Sequence, residues 1–243
     1  HYVPEATRVV VAGKFDEQKI IQLIGARFGG LAKIKKENKR KVDDRQQKPG
    51  VLLQHKASDQ THLVIGVRSF PLDHKQYAVL GVLSAILGSG MSSRLFQKIR
   101  TEMGLCYYVH AGNESFTDHG IFTVSAGVVN ERAEEAVSAI LREFTNLKNV
   151  PVLEAELKKA KDMLSGRLVL GLESSDEIAE FYGFQEVLRR KLRTPDALIK
   201  RMRAVNAGDI QRVAKEIFVT KHLNLAMIGP CRDEECFRRL LSL

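Results

Sequence analysis

An α+β roll, with a largely antiparallel sheet covered on one face by helices, is the fold class predicted by this sequence of 243 residues. Three observations predict it. Short strand-period segments at 51–55 and 61–69 open the main body and meet at a turn around 57–60. A hairpin pattern follows at 105–115 and 120–128, through Thr117, Asp118, His119 and Gly120. A long helical run and one last strand, 223–228, complete the order.

The elements can be justified in turn. Residues 8–13 (RVVVAG) read as a short apolar strand, after which Asp16 caps a helix carrying Ile20, Ile21, Leu23, Ile24 and Phe28. Strand, glycine and capped helix recur at the far end, where Gly229 and Asp233 precede Phe237, Leu240 and Leu241. A return after nearly the whole chain is the mark of two copies of one repeat. Between them, residues 29–50 hold eight Lys or Arg against three acids, a net +5 of the chain's +9, with no apolar period. The expected organisation is therefore 1–30 as the tail of a preceding homologous domain, 31–50 as a charged linker, and 51–243 as the complete domain.

Residues 74–87 form a helix buried on most sides, with Val79, Leu80, Leu83, Ile86 and Leu87 on one face and Ala78, Val82 and Ala85 on another. Asn130 is placed to cap a helix bearing Val137, Ile140, Leu141 and Phe144. Pro151 and Pro195 fit first helical turns, the latter behind Thr194, and residues 171–175 interrupt the helical run. The lysines 158, 159 and 161 and the arginine-rich stretch 189–193 read as wet helix faces.

The central stretch, 87–109 (LGSGMSSRLFQKIRTEMGLCYYV), organises the rest. Gly88, Ser89 and Gly90 end one helix, and Ser92 or Ser93 is placed to cap the next, whose apolar face is Leu95, Phe96, Ile99 and Met103. At roughly 100° per residue, Arg100 lies about 85° from the centre of that face, at its rim, with Arg94 further toward water. After Gly104 the period becomes that of a strand, with Leu105, Tyr107, Val109 and Ala111 on one side and Cys106, Tyr108 and His110 on the other. Arg100 and Tyr107 thus meet at one helix-to-strand corner as a donor pair suited to a peptide carbonyl or a developing oxyanion. On pattern alone the plainer reading is favoured, in which Arg100 covers an apolar rim and Tyr107 is a strand aromatic with a hydrated tip.

Leu87, Gly88, Gly90, Ser92, Ser93, Arg94, Leu95, Phe96, Ile99, Arg100, Gly104, Leu105 and Tyr107, with residues 118–122, resemble the second, non-zinc half of the pitrilysin/insulinase family of zinc metallopeptidases. The resemblance is nearest to the two-domain branch that includes the mitochondrial processing peptidase and bacterial relatives. Ser89, in place of a common glycine, and Thr101, in place of a frequent acid, are mild departures. The resemblance implies that Arg100 and Tyr107 are lent to the active site of the other half, where they hold a peptide substrate near zinc. It also implies two similar halves, a zinc-bearing half or partner chain and a dimeric assembly. It implies no cofactor in this chain.

None of the seven histidines, His1, His55, His62, His74, His110, His119 and His222, begins H-x-x-E-H or H-E-x-x-H. No metal site is expected, although His110 and His119 could face each other across the hairpin, and the chain alone is not expected to cleave peptides. Ser92 and Ser93 lack a triad's spacing, and the Gly88 to Gly90 turn lacks a phosphate loop's lysine. No apolar run is long enough for a membrane span. The odd count of cysteines, Cys106, Cys231 and Cys236, points to a reducing compartment such as the cytoplasm. The start at His1 reads as a cut boundary without a targeting signal. Two other readings stand beside the peptidase half: a non-catalytic structural subunit of the same family, and a basic nucleic-acid-binding module. Concentration of the charge in the linker disfavours the last.

Overall fold

The computed structural model describes residues 3–189 and 191–243; His1, Tyr2 and Arg190 lie outside the described residues. Five strands, β1 (Gly50–His55), β2 (Thr61–Ser69), β3 (Cys106–Ser115), β4 (Gly120–Val128) and β5 (Asn224–Gly229), form one sheet in the order β1-β5-β2-β4-β3. All neighbours are antiparallel except β1 and β5. The expected turn between β1 and β2 does not make them neighbours. The last strand enters between them, because a central strand buried by Leu225 and Met227 gains more cover than an edge strand would.

One face of the sheet is apolar. Leu63, Ile65 and Val67 of β2 and Phe122, Val124, Ala126 and Val128 of β4 are buried, whereas His62 and Val64 face outward. The buried face is covered by α2 (Tyr77–Gly88), α3 (Ala133–Asn149) and α7 (Ala207–Ile217), with α4 (Glu154–Leu170) and α6 (Pro195–Arg203) packed on α2 from outside. Phe218, just after α7, stacks on Phe144 of α3 with centroids 4.1 Å apart and meets Phe122 of β4 edge-on at 5.5 Å. Three elements far apart in sequence converge on that ring. A last helix, α8 (Glu234–Leu240), capped by Asp233, lies on β1 and α3.

The caps at Asp16 and Thr194 form as expected, each accepting from the amide three residues on. Others do not. The Asn130 amide is claimed by tertiary partners, accepting from the Thr61 hydroxyl at 2.8 Å and donating to the Ser58 carbonyl at 2.8 Å, so α3 starts later. Pro151 stands three residues before Glu154 opens α4, outside the first turn. Ser174, not a glycine, closes the break before α5 (Ser175–Leu188), in a reciprocal box with Glu177.

Residues 8–13 form no strand. They run beside α5, with Arg8 paired to Glu186 at 3.4 Å, and Val9, Val10 and Val11 stay largely exposed, since no strand among the described residues offers them a ladder. The helix α1 (Glu17–Phe28) forms but buries none of its residues. The basic segment that follows has no regular structure and is tied to one end of the sheet. Lys39 pairs with Asp118 in the β3–β4 turn, Val42 donates its amide to the same carboxylate at 3.2 Å, Asp44 pairs with Arg68 of β2 at 3.1 Å, and Gln46 accepts from Asn224 of β5 at 3.0 Å.

Of the stretch 189–193, in which Arg190 lies outside the described residues, Arg189 and Arg193 are not on a hydrated helix face. The Arg189 side chain is 7% exposed, donates to the Leu72 carbonyl at 3.1 Å and lies 4.6 Å over the Tyr77 ring.

Two outcomes follow from this packing. Gly88, at the end of α2, leaves room for β3: a Cβ there would stand 2.4 Å from the Ala111 nitrogen and 2.6 Å from its Cβ. Gly88→Ala should therefore lower stability by about 1–3 kcal/mol in urea unfolding, the usual cost of overpacking. The Asp118 carboxyl is held well below the usual range, first by Lys39 and then by His119, so its contribution is present above the ordinary carboxylate pKa and lost only in stronger acid. Asp118→Asn should speed tryptic cleavage within residues 33–41 several-fold at neutral pH while leaving the melting temperature nearly unchanged, because these contacts are exposed.

Candidate functional site

The helix after α2 is not regular. Ser93 does not cap it; its hydroxyl donates back to the Gly90 carbonyl at 2.7 Å, and Ser92 is exposed. From Phe96 to Glu102 the hydrogen bonds widen to the π pattern, as in Met103 N–H to the Lys98 carbonyl at 3.0 Å. A wider turn means a smaller step per residue than 100°, which moves the polar side chains relative to the expected wheel. Arg94, expected near water, is drawn inward. Its side chain is 20% exposed and grips Glu156 of α4 with two bonds of 2.7 and 2.8 Å, with Glu143 of α3 at 3.9 Å. The bond to Glu156 holds the guanidinium's pKa above its ordinary value. Arg94 is thus the anchor of this helix.

Arg100 is exposed. Its guanidinium lies 5.1 Å from the Phe96 ring, one turn back, and among the described residues it has no ion-pair partner. Gly104, with φ of +61°, then reverses the chain into β3. The β3–β4 register shifts there: Cys106 opposes Val128 and Tyr108 opposes Gly127, leaving Tyr107 as the extra residue of a bulge. Strict alternation would have put Tyr107 beside Leu105 and Val109 on the core face. The bulge instead turns Cys106 inward, at 8% exposure, and Tyr107 outward, at 55%.

Arg100 and Tyr107 therefore share a corner without touching; no hydrogen bond or ring contact joins them among the described residues. Cys106, the neighbour of Tyr107 in sequence, registers burial and the nearby cation: burial raises the pKa of its thiol while the charge of Arg100 opposes that rise. The corner sits at the edge strand of the sheet, at the end opposite the linker's attachments. Next to it, the Tyr108 hydroxyl lies 3.1 Å from His62 Nδ1 across the open face, a contact that strand-by-strand reading does not reveal because it needs the β2-β4-β3 order.

His110 and His119 do not face each other. His110 pairs in register with Ser125, while His119 bonds Asp118 at 2.8 Å and stacks on Phe116 at 4.6 Å. Among the described residues no group of three or more His, Cys, Asp or Glu side chains is arranged to hold a metal ion. No helix among the described residues is long and apolar enough to cross a membrane. The three cysteines are unpaired. What Arg100 and Tyr107 offer is a permanent cation and a phenol, two hydrogen-bond donors.

The sequence profile of the peptidase M16 inactive domain matches residues 1–164. The chain belongs to that family. An uncharacterized zinc protease of Bacillus subtilis, YmxG, is 31% identical over 231 residues, covering 95% of this chain and 55% of the relative. The chain spans about half the length of the curated relatives it matches. Two solved structures share the fold: a protease from Helicobacter pylori, with a TM-score of 0.81 at 24% identity over 90% of this chain and 54% of that one, and a peptidase M16 inactive domain from Pseudomonas fluorescens, with 0.78 at 19% over 90% and 53%.

The two arginines of the π-helix should separate cleanly in stability. Arg94→Ala leaves Glu156 and Glu143 without their cation and should cost about 2–3 kcal/mol, whereas Arg100→Ala and Tyr107→Phe should cost about 1 kcal/mol or less. Denaturant midpoints of the three variants measure this order.

Proposed function

We propose that this chain is the substrate-positioning half of a zinc-dependent endopeptidase, with zinc supplied by a preceding half or a partner chain and a peptide as substrate. The observation that carries the reading is an Arg100 that is exposed and without an ion-pair partner among the described residues, on the helix that leads into a Tyr107 pushed outward by a bulge, in a member of the M16 inactive-domain family. Arg100 would bind the carbonyl of the peptide, or the oxygen that becomes negative as water adds to it. The Tyr107 hydroxyl would donate to the same region, neither group giving up its proton. Zinc, held elsewhere, would supply the activated water.

Residues 1–30 are read as the end of a preceding homologous domain, 31–50 as the linker and 51–243 as the domain proper. The bare apolar face of α1, with Ile21, Leu23 and Phe28 exposed, supports that division. A dimer of homologous halves, one of them bearing zinc, is the assembly this implies. A structural subunit is the second reading, and the resting of Arg100 on Phe96 favours it, since a side chain with that seat needs no substrate.

The two readings predict opposite results. In the chain reconstituted with a half that carries H-x-x-E-H, Arg100→Ala or Tyr107→Phe should lower peptide turnover on the order of a hundredfold, the usual cost of losing one donor to a developing oxyanion. Turnover close to wild type in both variants would leave the domain a structural partner.

A further inference from the structure

A cavity of about 230 Å³ opens between α2, α4 and α6, with Asn113 of β3 at its wall. Its walls are largely apolar, with Leu164 and Leu168 on one side and Leu198 and Met202 on another. Two guanidinium groups, Arg193 and Arg201, line it as well. Mixed walls of this kind, apolar with a few convergent polar groups, are those of small-molecule sites.

The charge at this cavity is not balanced locally. Among the described residues Arg193 Nη1 is buried without a hydrogen-bond partner, and the Asp73 carboxylate, 3.9 Å from Arg193 Nη2, also serves Arg189 at 3.4 Å. Burial and the neighbouring charges of Arg201 and Arg189 all press the Arg193 pKa down, so an anion there would relieve the cation. The group is held in place. Gln185 of α5 accepts from the Arg193 amide at 2.9 Å and donates to its carbonyl at 3.1 Å.

The helix wall carries a second sign. Gly81 lies in the middle of α2 and lines the cavity, yet a Cβ added there would meet nothing within 4 Å. Glycine is a poor residue for a helix interior, and alanine would fit without contact. The vacancy is therefore not forced by packing; it adds to the width of the cavity.

We propose that this cavity binds a small amphipathic monocarboxylate, its chain between α2, α4 and α6 and its carboxylate on the guanidinium groups of Arg193 and Arg201 that line it. A cavity of this size takes a short aliphatic chain, for which octanoate is the probe. A planar guanidinium with a free donor prefers a carboxylate to a hydroxyl, and the interaction with an anion is the stronger.

Titration calorimetry of the whole chain with octanoate, with octanol as the neutral comparison, tests this. One equivalent of octanoate should bind, and octanol at least tenfold more weakly. Gly81→Leu, which fills the cavity, should abolish binding with a melting temperature at or above wild type, and Arg193→Gln should weaken octanoate about tenfold while leaving octanol unchanged. Absence of binding to the wild type, equal affinity for octanol, or octanoate affinity undiminished in Arg193→Gln would overturn the assignment.

Discussion

The contact that the rest of the structure depends on is the close seat of α2 on β3 at Gly88 and Ala111. The buried helix can reach the sheet there only because one residue has no side chain. From that point the chain has to leave the sheet, turn through residues 89–95, run back along the helix layer and re-enter the sheet at Cys106. The path is fixed at both ends and clamped in the middle by Arg94 on Glu156. A π turn and a bulge, one at each side of Gly104, are the local irregularities within this path. Bulges and π turns re-aim side chains. Here they leave Arg100 and Tyr107 outside while Cys106 and Ile99 go in.

The chemistry proposed for the corner follows from what it lacks as much as from what it holds. A guanidinium with no acid partner and an exposed phenol can stabilise charge that arrives from elsewhere but cannot create a nucleophile. In the proposed reading such a half acts beside another. The exposed apolar face of α1 and the length of the relatives, about twice that of this chain, agree with a molecule whose two halves act together. The arginine-lined cavity among the helices draws on another part of the same fold, the outer helical layer.

Much of the fold was legible from local pattern. The buried α2, the hairpin of β3 and β4, the caps at Asp16 and Thr194 and the amphipathic α7 all depend on residues within a few positions of each other. The family resemblance was legible in the stretch 87–109. What could not be read was set by distant partners. The placing of β5 between β1 and β2 is a non-local pairing. Asn130 gives its amide to Thr61 and Ser58 and so does not cap α3. Residues 8–13 have the composition of a strand but no strand to join. At the corner, Tyr107 faces outward because of a register shift that alternation alone would deny.

The most direct measurement is a crystal structure of the chain assembled with a half that carries H-x-x-E-H and zinc and with a phosphinic peptide, whose oxygens imitate the tetrahedral species formed when water adds to the carbonyl. The account predicts the Arg100 guanidinium and the Tyr107 hydroxyl within hydrogen-bond distance, about 2.7–3.2 Å, of the phosphinate or the adjoining peptide carbonyl. Arg100 still seated on Phe96 and Tyr107 turned to solvent, with the inhibitor held by the other half alone, would contradict it.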